Sequence, residues 1–157
     1  MENFLLQREL TISCSRTERG KHMQLGIRLH DIKKAPLEER LAIAKEQGFL
    51  CGHLALSKVI TEYPVDDGAL TPGYAMYLKK IFAKNDLDIA VLGCYLNLAN
   101  PDEGQLAKIT HRYLAHIRFA SLLGVGVVGT ETGAVNEAYK FEEKITQMRR
   151  WIFLYRM

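Results

Sequence analysis

Between residues 25 and 130, apolar positions fall into two alternating patterns: short continuous runs, and runs spaced for one face of a helix. Leu25 to His30 (LGIRLH) is an apolar run of strand length. Pro36 then opens PLEERLAIAKEQGF, where Leu37, Leu41 and Ala44 recur at helical spacing and Gly48 supplies the stop. Proline fits the first helical position because its missing N–H has no partner there, and glycine fits just past the end. A second strand is predicted at Cys51–Ser57 (CGHLALS). Thr71 and Pro72 start a helix through Tyr74, Leu78, Ile81 and Phe82 that ends near Asn85. Asp88 to Asn97 (DIAVLGCYLN) is the third strand. Asn100-Pro101-Asp102-Glu103 reads as a cap, a first-turn proline and two first-turn acids. The helix they open carries Leu106, Ile109, Tyr113, Leu114, Ile117 and Leu122, and Gly124 closes it. Val125 to Thr130 (VGVVGT) is the fourth strand, followed by the polar stretch ETGAVNEAYKFEEK.

Strands that are apolar throughout and alternate with amphipathic helices predict a parallel sheet covered by helices. Repeated βαβ crossovers build either a doubly wound sheet or a (β/α)8 barrel. A barrel takes about 250 residues, so residues 23–144 amount to about half of one. The expected class is therefore α/β, a partial (β/α)8 barrel of about four parallel β/α units. Four such strands without closure leave two unpaired edges and one bare sheet face.

Composition narrows the setting. The chain has 157 residues, 48% hydrophobic and 25% charged, enough apolar material for one core. No apolar run reaches the roughly 18–20 residues of a membrane span, and MENFLLQREL lacks the basic start and apolar stretch of a secretory signal. Cys14, Cys51 and Cys94 are far apart, odd in number and without CxxC spacing, so they read as free thiols in the cytoplasm. The net charge of +3 sits at the ends. Residues 145–157 carry Arg149, Arg150 and Arg156 against no acid, residues 1–22 carry one excess base, and 23–144 is nearly neutral. That distribution lends a nucleic-acid partner little support, and neither nucleic acid nor, without an apolar span, a membrane is expected as a partner.

The ends also depart from the repeating pattern. Thr17 to Met23 can be encoded by a purine-rich stretch just before an ATG, as at a bacterial ribosome-binding site. Met23 is then the natural start and 1–22 an upstream extension translated in frame; the other reading is a genuine N-terminal extension. After Lys144, ITQMRRWIFLYRM breaks the helical pattern, and one restored base after the Lys144 codon permits a capped helix start instead. Residues 145–157 are thus expected to be a frameshifted tail, or else a native helix over a sheet edge.

Chemistry in either architecture belongs at the carboxyl ends of the strands. Those positions hold His30 and Asp31, then Ser57 and Lys58, then Tyr95, Asn97 and Asn100, then Glu131 and Thr132. The set suits hydrogen bonding to a polyhydroxylated ligand. Each member also has a structural role open to it. His30 could be a satisfied imidazole, Lys58 a solvated loop charge or a phosphate clamp, and Asn97 and Asn100 turn or cap residues. Glu131, between Gly129 and Gly133, has the least structural reason to be where it is. His53, inside the second strand, reads as core or helix-facing. GVGVVG at 124–129 has the wrong order for a dinucleotide fingerprint, and neither a phosphate loop nor a GxSxG elbow is present. His111 and His116, five apart on a helix, fall on different faces.

The phrases MQLGIRLHD, GF…GHLALSK, LDIAVLGCYLNLANPD and VVGTETG together resemble the sugar phosphate isomerase/epimerase group. These are xylose-isomerase-like TIM barrels, which also include endonuclease IV-type phosphodiesterases. The resemblance runs from Met23 to about Lys144 and corresponds to the family's first four strands. It implies a divalent metal (Mn, Mg, Co or Zn) held by carboxylates and histidine from strands five to eight, with paired glutamates moving a proton beside a sugar or sugar phosphate carbonyl. On this resemblance His30, Tyr95, Asn97 and Glu131 match the substrate-pocket wall; no metal ligand and no catalytic residue is assigned here. One carboxylate cannot supply the several oxygens a hard cation needs. The expectation is a truncated isomerase or epimerase, inactive alone and holding no metal. Two other readings stand beside it. One is a non-catalytic half barrel that self-associates through its open edges. The other is a fragment of a phosphodiesterase, which expects metal-binding histidines where this chain has Ser57-Lys58 and Tyr95.

Overall fold

A computed structural model describes residues 24–63, 65–131 and 133–134. The segments 1–22 and 145–157 therefore lie outside the described residues. Four strands, β1 (Gly26–Arg28), β2 (Cys51–Ala55), β3 (Asp88–Gly93) and β4 (Val128–Gly129), pair in parallel in the order β1-β2-β3-β4. The helices α1 (Leu37–Glu46), α2 (Leu56–Val59), α3 (Pro72–Lys84) and α4 (Glu103–Leu123) lie between them. The α/β class and the parallel sheet expected from the sequence are present. Neighbouring strands are also consecutive in the chain, so right-handed crossovers place every helix on the same side of the sheet.

The core agrees with that winding. Leu37 and Leu41 of α1, Leu78 and Phe82 of α3, and Phe119 and Leu123 of α4 form one buried cluster with Leu29, Leu54 and Leu92. Strand side chains alternate between faces. With Leu54 and Leu92 on the helix side, the paired Arg28, His53 and Val91 stand on the other. Among the described residues no helix covers that second face.

The helix signals act as their chemistry requires. The Thr71 hydroxyl accepts from Tyr74 N with Pro72 in the first helical position, and Gly124 ends α4 at φ +75°. Two caps differ from expectation. The α4 cap is Asp102, which accepts from Gln105 N, while Asn100 accepts from Asp102 N one turn outside the helix. Pro36 precedes α1 without a side-chain cap, and the Glu62 carboxylate from a later loop accepts from Leu37 N at 3.1 Å.

The strands are shorter than their apolar runs. Leu56 and Val59 belong to the single turn of α2, which buries both against the core. Beyond Gly93 the third run breaks into turns, with Leu98 N donating to Leu96 O and Asn100 N to Asn97 O. Val125 completes the end of α4, donating to Ala120 O, which leaves only Val128 and Gly129 in β4. The first run stops at Arg28 because Leu29–Asp31 closes into a 3-10 turn. Leu29, Leu56, Val59, Cys94 and Val125 are buried off the ladder, whereas Leu25 and Val127 of the same runs are exposed. Among the described residues no helix is long and apolar enough to cross a membrane.

Candidate functional site

Three rings meet at the carboxyl ends of β1, β2 and β3. The His30 and His53 centroids lie 5.5 Å apart, those of His30 and Tyr95 5.8 Å, and those of His53 and Tyr95 5.7 Å. His30 stands edge-on to both partners, an arrangement aromatic quadrupoles favour. The Tyr95 hydroxyl is 3.4 Å from His53 Nε2, and Lys58 Nζ sits 4.0 Å from the Tyr95 ring centroid, within cation–π range.

Local backbone explains how the rings come together. His30 rides the 3-10 turn that follows β1. Beneath it the buried Arg40 donates from Nη1 to Leu29 O at 2.9 Å and to Ile32 O at 3.4 Å, and from Nε to Ala35 O at 2.8 Å. Arg40 thereby holds both sides of the His30 turn. His53 lies over Gly93 of β3, where any added Cβ would overlap its imidazole. Glycine at 93 is what leaves room for the ring.

Arg28 sets the state of His30. Its Nε and Nη2 approach His30 Nε2 at 3.1 and 2.7 Å, and Nε also reaches Asp31 at 3.3 Å. A guanidinium only donates, so His30 Nε2 accepts and the neutral ring carries its proton on Nδ1. That Nδ1 is buried and has no hydrogen-bond partner among the described residues. Burial first, and then the Arg28 charge, lowers the His30 pKa below 6.5. Burial and the neighbouring His30 lower that of His53. Both imidazoles are neutral at pH 7.

The predicted site residues divide. His30 and Tyr95 join the cluster. Asn97 instead ties two loops together: its Nδ2 donates to Ala134 O at 2.8 Å, and its Oδ1 accepts from Ala134 N at 2.9 Å and Ala99 N at 3.2 Å. Glu131 is exposed two residues beyond β4, and among the described residues no contact places it with the rings. Thr132 lies outside the described residues. His53 corrects the reading of a core or helix-facing histidine, because its register with Arg28 and Val91 turns it to the uncovered face. Arg28 is a further member that strand-end position does not single out. His116 is buried and His111 exposed, as their spacing predicts. Cys51 and Cys94 are free thiols, and Cys14 lies outside the described residues.

The ring cluster does not fit the divalent metal that the family resemblance implies. Among the described residues it offers two imidazoles and one carboxylate, Asp31, which is engaged by Arg28, short of the four ligands zinc takes, and it is flanked by the cations of Arg28 and Lys58. A hard cation needs oxygen ligands and opposes neighbouring positive charge. The arrangement can donate and accept hydrogen bonds, stack against a ring and attract negative charge. Comparison of the chain with known protein families and with curated proteins gives no match.

Proposed function

We propose that this chain forms the substrate-binding half of a (β/α)8 barrel of the sugar isomerase and epimerase kind, with the His30–His53–Tyr95 cluster as part of the wall that receives a sugar or sugar phosphate. The observation that carries this reading is the coincidence of singly wound parallel strands with a polar ring cluster at their carboxyl ends, on the face the helices leave open. In a barrel that face lines the interior and that end holds the ligand. A doubly wound sheet, by contrast, would carry helices on both faces.

In this reading the four strands contribute binding. Metal and proton-moving carboxylates belong to strands five to eight, so these residues alone carry no isomerisation. Their part is to orient hydroxyl groups through the His53–Tyr95 pair and to present the Tyr95 ring to a sugar face. The test is an NMR titration of the full chain with aldoses, ketoses and their phosphates, following the C2–H signals of His30 and His53. Saturable shifts of both signals by at least one sugar support the reading. Unshifted histidines across the whole panel refute it.

A further inference from the structure

The charge around the ring cluster has no counterpart in the ligand wall just described. Arg28 from β1, Lys58 from α2 and Arg40 from α1 all act on His30, against the single carboxylate of Asp31. Both imidazoles are neutral, so the cluster keeps a positive excess. Asp31 is already paired with Arg28. Lys58 has no carboxylate partner among the described residues, and its ammonium rests on the Tyr95 ring. The His30 Nδ1–H is a buried donor lacking an acceptor among the described residues, a state native structures rarely leave uncompensated. Among the described residues, the unspent groups of His30 and Lys58 are thus a donor and a cation.

We propose that Arg28, His30 and Lys58 form an oxyanion subsite that takes the carboxylate or phosphate group of the ligand. This inference deepens the sugar-wall reading and rests on it. A neutral polyol would hydrogen bond to these groups but leave the cations uncompensated. An oxyanion accepts from several donors at once and offsets the excess charge. Lys58 supplies an exposed ammonium on a long stem, while Arg28 is held by His30 and Asp31. The Tyr95 ring holds Lys58 beside the imidazoles until a ligand draws it off.

The test uses the full chain and three probes at constant ionic strength: inorganic phosphate, gluconate and xylose. The readout is the C2–H signals of His30 and His53, assigned from spectra of H30Q and H53Q. Saturable shifts are expected from phosphate, gluconate or both, at roughly tenfold lower concentration than any shift from xylose. A response to phosphate alone identifies a phosphate ester as the source, and one to gluconate alone a sugar acid. K58Q, a change at an exposed position, is expected to weaken the anion roughly tenfold with an unchanged melting temperature. Xylose binding without either anion overturns the subsite but leaves the sugar wall standing. Anion shifts reproduced by chloride overturn it, as do shifts unaltered by K58Q. Silence from all three probes overturns it as well, and the separate panel of sugars then decides whether the wall survives.

Discussion

Gly93→Ala is the sharpest probe of how the cluster is built. The added methyl would overlap His53 Nε2, and would lie 3.1 Å from His53 Cδ2 and 3.0 Å from the Ala55 Cβ. Ordinary carbon contacts begin near 3.5 Å, so the imidazole must withdraw by on the order of 1 Å. Ala55 Cβ is fixed by the backbone of β2 and cannot rotate away. Overpacking of this kind costs about 1–3 kcal/mol. The displaced ring also gives up its edge contact with His30, about 0.5–1.5 kcal/mol. Alanine recovers about 0.5–1 kcal/mol by restricting the unfolded chain. The net expectation is a loss of about 1–3 kcal/mol, measured by urea unfolding. A ring pushed toward water also loses the burial that lowers its pKa, so His53 should titrate at higher pH in the variant. The cause is isolated by a double-mutant cycle with His53→Ala, in which the cost of the alanine at 93 should fall by more than half. If the cost is the same with and without the imidazole, His53 does not sit over Gly93 and the account of the cluster fails.

Three further expectations concern the supports of the site. Arg40→Met removes the donors to Leu29, Ala35 and Ile32 carbonyls, and leaving such groups unpaired should cost about 2–4 kcal/mol; a loss below about 1 kcal/mol in urea unfolding would remove Arg40 from its place under the His30 turn. Asn97→Ala breaks the side-chain bonds to Ala99 and Ala134, at about 1–3 kcal/mol, and should speed amide exchange at Ala134; unchanged exchange there would count against the loop tie. His30, His53 and His116 all have pKa values lowered below 6.5, in each case by burial first. The unfolded chain then takes up protons before the folded one, so their contribution is present above about pH 6.5 and lost as pH falls through the folded values. The melting temperature should accordingly fall between pH 7.5 and pH 5.5, and a flat or rising profile would refute the buried neutral imidazoles.

Much of the fold was legible because the signals were redundant. Thr71-Pro72, the Gly124 stop and the spacing of Leu78, Ile81 and Phe82 each point to the same helices by independent physics. The strand ends were less legible, since an apolar run reports burial and says nothing of whether a ladder or a turn of helix provides it. Leu56 and Val59 bury themselves in one turn of α2. The site was half legible. His30 and Tyr95 follow from strand-end position alone, but His53 and Arg28 lie inside strands, where the face decides the role. Alternation is hard to see in CGHLA because Cys51, Gly52 and Ala55 are small and fit either side.

A signal was nonetheless present. Leu29 and Leu54 must face the helices, because nothing else could bury them. The residues one position earlier, Arg28 and His53, then share the opposite face and sit side by side in the register. Gly93, lacking a side chain on the neighbouring strand, marks where a large ring needs space. Two polar residues of the same parity on adjacent parallel strands, beside a glycine on a third, are hard to explain by core packing. They mark the sheet face that the helices leave open. Asn97 and Glu131 lie beyond the last paired residue of their strands, as His30 and Tyr95 do, so loop contacts set their direction, and Asn97 is held by Ala99 and Ala134. Position at a strand end nominates a residue for the site; inside the strands the pleat decides which face a residue joins, and beyond them the turn that follows does, as for His30.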